Sequence, residues 1–193
     1  MEVSIDGVRY VPVVHDEVAL TVLVPSVSTR RKTFGPAMTD ALFSQHELLT
    51  PDQQRRVEIL IVTDAGRSGG MVVGDKRNAM VRMARGTYVV FVDDDDRVTD
   101  DYLSTLLEAT EAGADCITFN LMCALNGAPP KLCRYSLEYA KDHNAPDHYQ
   151  RLPNHITAVR RVLMLACPFP SKQFGEDADY AVRLRPSLKT QHR

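Results

Sequence analysis

Four consecutive aspartates, Asp93 to Asp96, follow the apolar run Val89-Val90-Phe91-Val92. Adjacent carboxylates repel one another, so part of the group must stay solvated or be neutralised by a cation. Along an extended chain side chains alternate, which sets Asp93 and Asp95 on one side and Asp94 and Asp96 on the other. Two carboxylates on one side suit a hard divalent cation that keeps positions open for phosphate oxygens. The plainer alternative is a solvated acidic turn before the next helix, whose positive end favours carboxylates. His155, in Leu152-Pro153-Asn154-His155-Ile156, offers an imidazole that suits Mn2+ in a mixed nitrogen and oxygen site. A lone histidine is nevertheless more often a surface or hydrogen-bonded residue. Lys76 and Arg77 fall in the first turn of an expected helix, where positive charge opposes the dipole. They call for a nearby anion: a ligand phosphate, or one of the aspartates as a structural partner. Arg30-Arg31 and Arg160-Arg161 read as solvated faces, with Arg30 placed to approach a diphosphate.

The elements that position these groups follow from hydrophobic period and turn chemistry. Val3-Ser4-Ile5 and Val8-Arg9-Tyr10 flank Asp6-Gly7, a pair suited to a tight hairpin turn. Pro12 argues that this ribbon lies at a sheet edge. Leu20 to Val24, Val57 to Val62, Thr87 to Val92 and Cys116 to Met122 are short apolar runs expected as buried strands. Between them, helices are expected over Gly35 to Glu47, over Asp75 to Arg85 with Gly86 as its stop, and after Thr99 as cap. In the last of these Leu103, Leu106, Leu107 and Thr110 recur at helical spacing, and Gly113 ends it. Strands that alternate with helices and read as continuous apolar runs predict an α/β fold, its mostly parallel sheet covered on both faces. After Cys123 the rhythm changes. Leu125-Asn126-Gly127-Ala128 reads as a turn, Lys131 to Tyr139 as a returning strand, and Asp142 to Arg151 as loop. His155 to Val159 reads as a short strand or turn, followed by brief helices at Arg161 to Ala166 and Glu176 to Leu184.

Composition narrows the function classes. The chain has 193 residues, 44% hydrophobic, with 23 basic and 25 acidic side chains and a net charge of −2. That length buries a sizeable core, and the charge excludes a strongly basic nucleic-acid coat. Cys116, Cys123, Cys133 and Cys167 include no Cys-x-x-Cys pair, which excludes a zinc ribbon and a thioredoxin-type motif. Thiols this sparse are expected to be reduced, which with no signal peptide and no membrane-length apolar run predicts a cytoplasmic protein.

Taken in order, several segments resemble nucleotide-sugar glycosyltransferases of the GT-A fold, in particular glycosyltransferase family 2. Val22-Leu23-Val24-Pro25-Ser26 is similar to the opening strand, and Ile61-Val62-Thr63-Asp64-Ala65-Gly66 to the second strand, with Thr63 in place of an aspartate. Gly74-Asp75-Lys76-Arg77-Asn78-Ala79 resembles the Gly…Arg-Asn helix start. Phe91-Val92-Asp93-Asp94-Asp95-Asp96 resembles the Asp-x-Asp motif, and Phe174-Gly175-Glu176-Asp177 with Arg183-Leu184 the Glu-Asp segment. The resemblance implies a GT-A, Rossmann-like sheet flanked by helices, with a small antiparallel element. It implies one domain over 1–193, with a hairpin at 1–18, a nucleotide-sugar-binding half at 19–122 and an acceptor-side half at 123–193. It further implies transfer of a sugar from a nucleoside-diphosphate sugar, a UDP-sugar being favoured, to an acceptor hydroxyl with inversion. In that scheme Asp177 is the general base and Glu176 orients the acceptor or supports the loop. Asp95 and Asp93 hold Mn2+ or Mg2+ on the diphosphate, with His155 as a third ligand and Asp96 as the alternative in register. Asp64 binds the nucleobase, and Pro25, Ser26, Ser28, Lys76, Arg77, Asp93 and Asp94 line the nucleotide-sugar pocket. The acceptor is left open among a glycan, a lipid-linked sugar, a protein and a modified nucleic acid.

Two other readings compete. Asp94-x-Asp96-x-Val98 can be traced onto the motif of haloacid-dehalogenase-type phosphatases, although no buried strand leads into Glu176-Asp177 as that class requires. A glycosyltransferase-like module that binds a nucleotide without catalysis is the other. A sugar nucleotidyltransferase is disfavoured, since Ser26-Val27-Ser28-Thr29 lacks the glycine-rich loop.

Overall fold

A computed structural model describes residues 3–5, 8–10, 18–29, 35–65, 69–124 and 127–193. Twelve strands and six α-helices follow one another. They are β1 (Val3–Ile5), β2 (Val8–Tyr10), β3 (Leu20–Val27), α1 (Gly35–Leu48), α2 (Pro51–Arg56), β4 (Val57–Asp64), α3 (Val73–Met83), β5 (Tyr88–Phe91) and α4 (Tyr102–Ala109). Next come β6 (Cys116–Ile117), β7 (Asn120–Cys123), β8 (Lys131–Tyr135), β9 (His143–Asn144), β10 (His148–Arg151), β11 (Ala158–Arg160), α5 (Arg161–Ala166), α6 (Glu176–Leu184) and β12 (Gln191–His192).

The large sheet has the order β1-β2-β4-β3-β5-β11-β6-β12. Its centre is parallel: β3 pairs with β4 from Leu20↔Val57 to Val27↔Asp64, and with β5 from Leu20↔Tyr88 to Leu23↔Phe91. Antiparallel strands flank it, β2 on β4 and β11 on β5. Alternation along the strands divides the core between two faces. Leu20, Val22 and Val24 pack with Met38 and Leu42 of α1 and Leu103, Leu106 and Leu107 of α4. Leu23 and Phe91 face the other way, onto Met80 of α3, Met164 of α5 and Tyr180 and Leu184 of α6. Both faces are thus covered, as the unbroken apolar strands predict. A smaller sheet, β7-β8-β10-β9, stands apart from the large one. Among the described residues no helix is long and apolar enough to cross a membrane, and all four cysteines are free thiols.

Several local expectations are corrected. The first strand does not stop at Pro25 but runs to Val27. Beyond Leu23 it pairs only with β4, so the missing N–H of Pro25 leaves no ladder bond unmade on the β5 side. The run expected as one strand from Cys116 to Met122 breaks in two, β6 in the large sheet and β7 in the small one. The polar stretch Asp142 to Arg151, expected as loop, carries β9 and β10. A six-residue helix, α2, was not anticipated; Thr50 and Gln53 close a capping box at its start and Pro51 occupies its first turn. Thr99 does not cap α4, which begins after Asp101. Gln45 of α1 serves that end, its Oε1 accepting from the Leu103 amide at 3.0 Å while its Nε2 donates to the Thr99 carbonyl at 2.8 Å. Gly86 is not a helix stop either. α3 has ended at Met83, and a Cβ at Gly86 would lie 2.6 Å from the Thr21 nitrogen and the Tyr88 oxygen, so glycine is there for close approach. The hairpin strands β1 and β2 pair as expected, while Asp6-Gly7, Pro12, Arg30-Arg31, Gly66 to Ser68 and Leu125-Asn126 lie outside the described residues.

Candidate active site

The C-terminal ends of β3, β4 and β5 bring together residues far apart in sequence, at the edge where ligands of open α/β sheets bind. β5 ends at Phe91, and the four aspartates do not continue it. The Asp96 amide donates to the Asp93 carbonyl at 3.1 Å, closing a turn. The expected two-sided alternation is therefore lost, because a turn, unlike a strand, sends its side chains in several directions. Asp94 is buried at 1% exposure and accepts from Ser26 Oγ at 2.6 Å. Asp95 and Asp96 are exposed. Asp93 turns toward Arg77 and His155.

Arg77 is the hub. Buried at 4% exposure, its Nη2 donates to Asp93 Oδ1 at 3.0 Å and its Nε to Glu176 Oε1 at 3.4 Å. Its guanidinium also lies 4.9 Å from the centre of the Phe91 ring. The anion its helical position called for is thus supplied by the protein itself. His155, 4% exposed, has Nε2 3.6 Å from Asp93 Oδ2 and Nδ1 4.0 Å from Asp177 Oδ2. Burial alone would raise the Asp93 carboxyl, but the adjacent His155 ring and the charge of Arg77 outweigh it and hold it well below the usual range. Asp96 moves the other way. Partial desolvation of its carboxyl, then the negative charge of Asp93 and Asp95, push it up to about 6.

On the β4 side, Lys76 is buried and donates to Asp64 Oδ1 at 2.7 Å and to the Ser26 carbonyl at 2.8 Å. Asp64 Oδ2 accepts from the Met71 amide at 3.0 Å. Ser28 is exposed, and its amide donates to the Asp64 carbonyl at 2.7 Å; Pro25 is half-buried in β3. The candidates therefore fall into two linked groups: Ser26, Asp94, Lys76 and Asp64, and Asp93, Arg77, His155, Glu176 and Asp177.

Glu176 and Asp177 open α6 behind Gly175, whose φ of 71° is the left-handed region glycine tolerates. The two carboxylates differ. Glu176 is buried on Arg77, whereas the Asp177 side chain is 40% exposed. The loop before them is fastened to α3 at several points, among them Ser171 Oγ donating to Asp75 Oδ2 at 2.7 Å. Asn78 donates to the Phe169 carbonyl and accepts from the Phe169 amide, both at 2.8 Å. Gly74 donates to the Lys172 carbonyl at 3.2 Å, and a Cβ there would lie 1.9 Å from the Pro170 oxygen. Asn78 is a positioning residue for which no role was read from the sequence; its place directly after Arg77 was the available signal.

The candidate cation ligands are Asp93, Asp95 and His155. Asp95 is exposed, Asp93 and His155 converge, and neither ring nitrogen of His155 has a hydrogen-bond partner among the described residues. No three carboxylates, thiols or imidazoles among the described residues are grouped as a metal site. A phosphatase reading is weakened, because Asp94, its nucleophile in that scheme, is buried against Ser26.

Comparison with known proteins bears on the fold that carries these residues. Residues 67–132 match the model of glycosyl transferase family 2. No curated protein matches the chain. Among solved structures, Staphylococcus aureus TarS 1-349 in complex with UDP superposes with a TM-score of 0.62 at 15% identity, over 90% of this chain and 56% of that one. The same protein in complex with UDP-GlcNAc gives 0.60 at 15% identity, over 90% and 55%. Full-length TarS gives 0.60 at 14% identity, over 90% and 34%. The chain thus spans about half the length of the TarS 1-349 chains it matches. Its fold is that of the GT-A neighbours.

Proposed function

We propose that the chain transfers a sugar from a nucleoside-diphosphate sugar, a UDP-sugar, to an acceptor hydroxyl with inversion. The observation that carries this reading is the position of His155 between Asp93, at the strand ends, and the half-buried Asp177, at the start of α6. The UDP and UDP-GlcNAc complexes of the structural neighbours support the choice of donor.

Asp177 accepts the proton of the acceptor hydroxyl as its oxygen forms a bond to the anomeric carbon. The bond from that carbon to the diphosphate oxygen breaks, and its electron pair leaves with the nucleoside diphosphate. Glu176, neutralised by Arg77, holds the start of α6 in place and is not a base. Asp64 accepts from a uracil N–H, with Ser26, Ser28 and Pro25 around it and Lys76 fixing its carboxylate. Asp95, with Asp93 and His155, would hold Mn2+ or Mg2+, which supplies electrostatic stabilisation to the departing diphosphate. A cytoplasmic site of action goes with the free thiols.

The test is UDP-GlcNAc binding by calorimetry or thermal shift, with Mn2+ and again with excess chelator. Binding that needs the cation supports the reading; equal affinity in chelator would remove the cation from it, and no binding of any nucleotide sugar would remove the reading itself.

A further inference from the structure

A cavity of about 540 Å3 lies between the aspartate turn, α4 and the small sheet, within the size range of small-molecule sites. Phe91 and Ile156 form part of its lining, and Ile156 is the residue after His155, so the cavity reaches the candidate active site. Asp95, Asp96 and Arg97 give it a charged rim. One wall is Tyr102 and Phe119, whose rings meet edge to face at 6.2 Å and 90°. The small sheet contributes Tyr135 and Tyr149 to the lining, from β8 and β10. The Tyr149 ring is fixed by Lys131 and Arg151, whose cationic groups lie 4.8 and 4.9 Å from its centre. Arg151 is itself held, donating to the His143 carbonyl at 3.1 Å and to Asn144 Oδ1 at 2.8 Å.

We infer that this cavity binds the acceptor, and that the acceptor is an oligosaccharide; the inference rests on the transferase reading above. A sugar ring presents an apolar C–H face and a girdle of hydroxyls. Aromatic side chains take the first, and the Asp96 carboxylate and Arg97 guanidinium take the second through charge-assisted hydrogen bonds. A lipid chain has no hydrogen-bonding groups to offer a charged rim. The net charge of −2 offers no field that would gather a polyanion. The Tyr149 wall is fixed before the ligand arrives, which lowers the ordering cost of binding.

Saturation-transfer NMR with cellotetraose, chitotetraose and maltotetraose tests this directly, because it needs neither donor nor turnover. Protein-to-sugar saturation of ring C–H protons is expected for at least one of the three. It should fall about ten-fold in Tyr149→Ala, the weight of one aromatic anchor, and also in Ala124→Trp, which places an indole from an exposed position on the cavity lining. No saturation of any of the three sugars, or saturation indifferent to both substitutions, overturns the inference. UDP-GlcNAc binding by the unmodified chain reports on the other reading separately. Sugar saturation without donor binding keeps the cavity assignment and removes the transferase, and donor binding without sugar saturation does the reverse.

Discussion

Nδ1 of His155 lies 4.0 Å from Oδ2 of Asp177, while the other nitrogen of the same ring lies 3.6 Å from Asp93. One buried imidazole therefore joins the carboxylate at the end of the central strands to the carboxylate that opens α6. Replacing Asp177 by Asn keeps the shape and removes the base. Transfer should fall by roughly 10²–10⁴, the usual worth of general-base catalysis, while UDP-GlcNAc binding is retained. Transfer rates at saturating donor check this, and full turnover in the variant would sink the assignment.

Arg77 holds Asp93 and Glu176 at once. Arg77→Ala strands a buried carboxylate and should cost roughly 3–5 kcal/mol of stability, as breaking buried pairs does. Arg77→Lys should fall between, since an ammonium lacks the planar fork. The double variant Arg77→Met with Glu176→Gln should recover much of the loss. Urea unfolding measures all three; a single alanine variant as stable as the parent would show that the pair contributes little.

Asn78 fastens the Phe169 backbone that leads toward Glu176. Asn78→Ala leaves two buried backbone groups without their partner, at about 1–3 kcal/mol each before relaxation. Hydrogen exchange should then quicken over 168–177, with turnover falling more than donor affinity. Unchanged exchange in that segment would contradict the role.

Asp93 and Asp96 titrate with opposite consequences. The depressed Asp93 contributes stability that is present above the usual carboxylate value and is lost as pH falls. Asp96, raised from 3.8 to about 6, contributes stability that is present below the lower value and is lost as pH rises through the upper one. Asp96→Asn should therefore flatten the Tm profile between pH 4 and 6 and raise Tm at pH 7. Asp93→Asn should lower Tm at neutral pH. A parent profile with no slope between pH 4 and 6 would refute the first expectation.

The parallel centre of the fold was legible because β3, β4 and β5 are buried on both faces and read as unbroken apolar runs. What escaped had no such signal. β9 and β10 are short, polar and only partly covered, with no alternation to betray them. α2 buries nothing, and only the Thr50-Pro51…Gln53 cap announced it. The candidate site was legible as an inventory, since residue types and order were enough to single out its members. Its wiring was not. That Arg77 reaches Glu176 across 99 positions, or that Gln45 caps a helix 58 residues on, depends on tertiary proximity that no local period encodes.

At Gly74 the first turn of α3 and the segment before α6 touch with no side chain between them. Surfaces in such contact cannot slide or part separately. If the start of α6 swings, the helix carrying Lys76 and Arg77 goes with it, and the two sides of the cleft act as a single jaw.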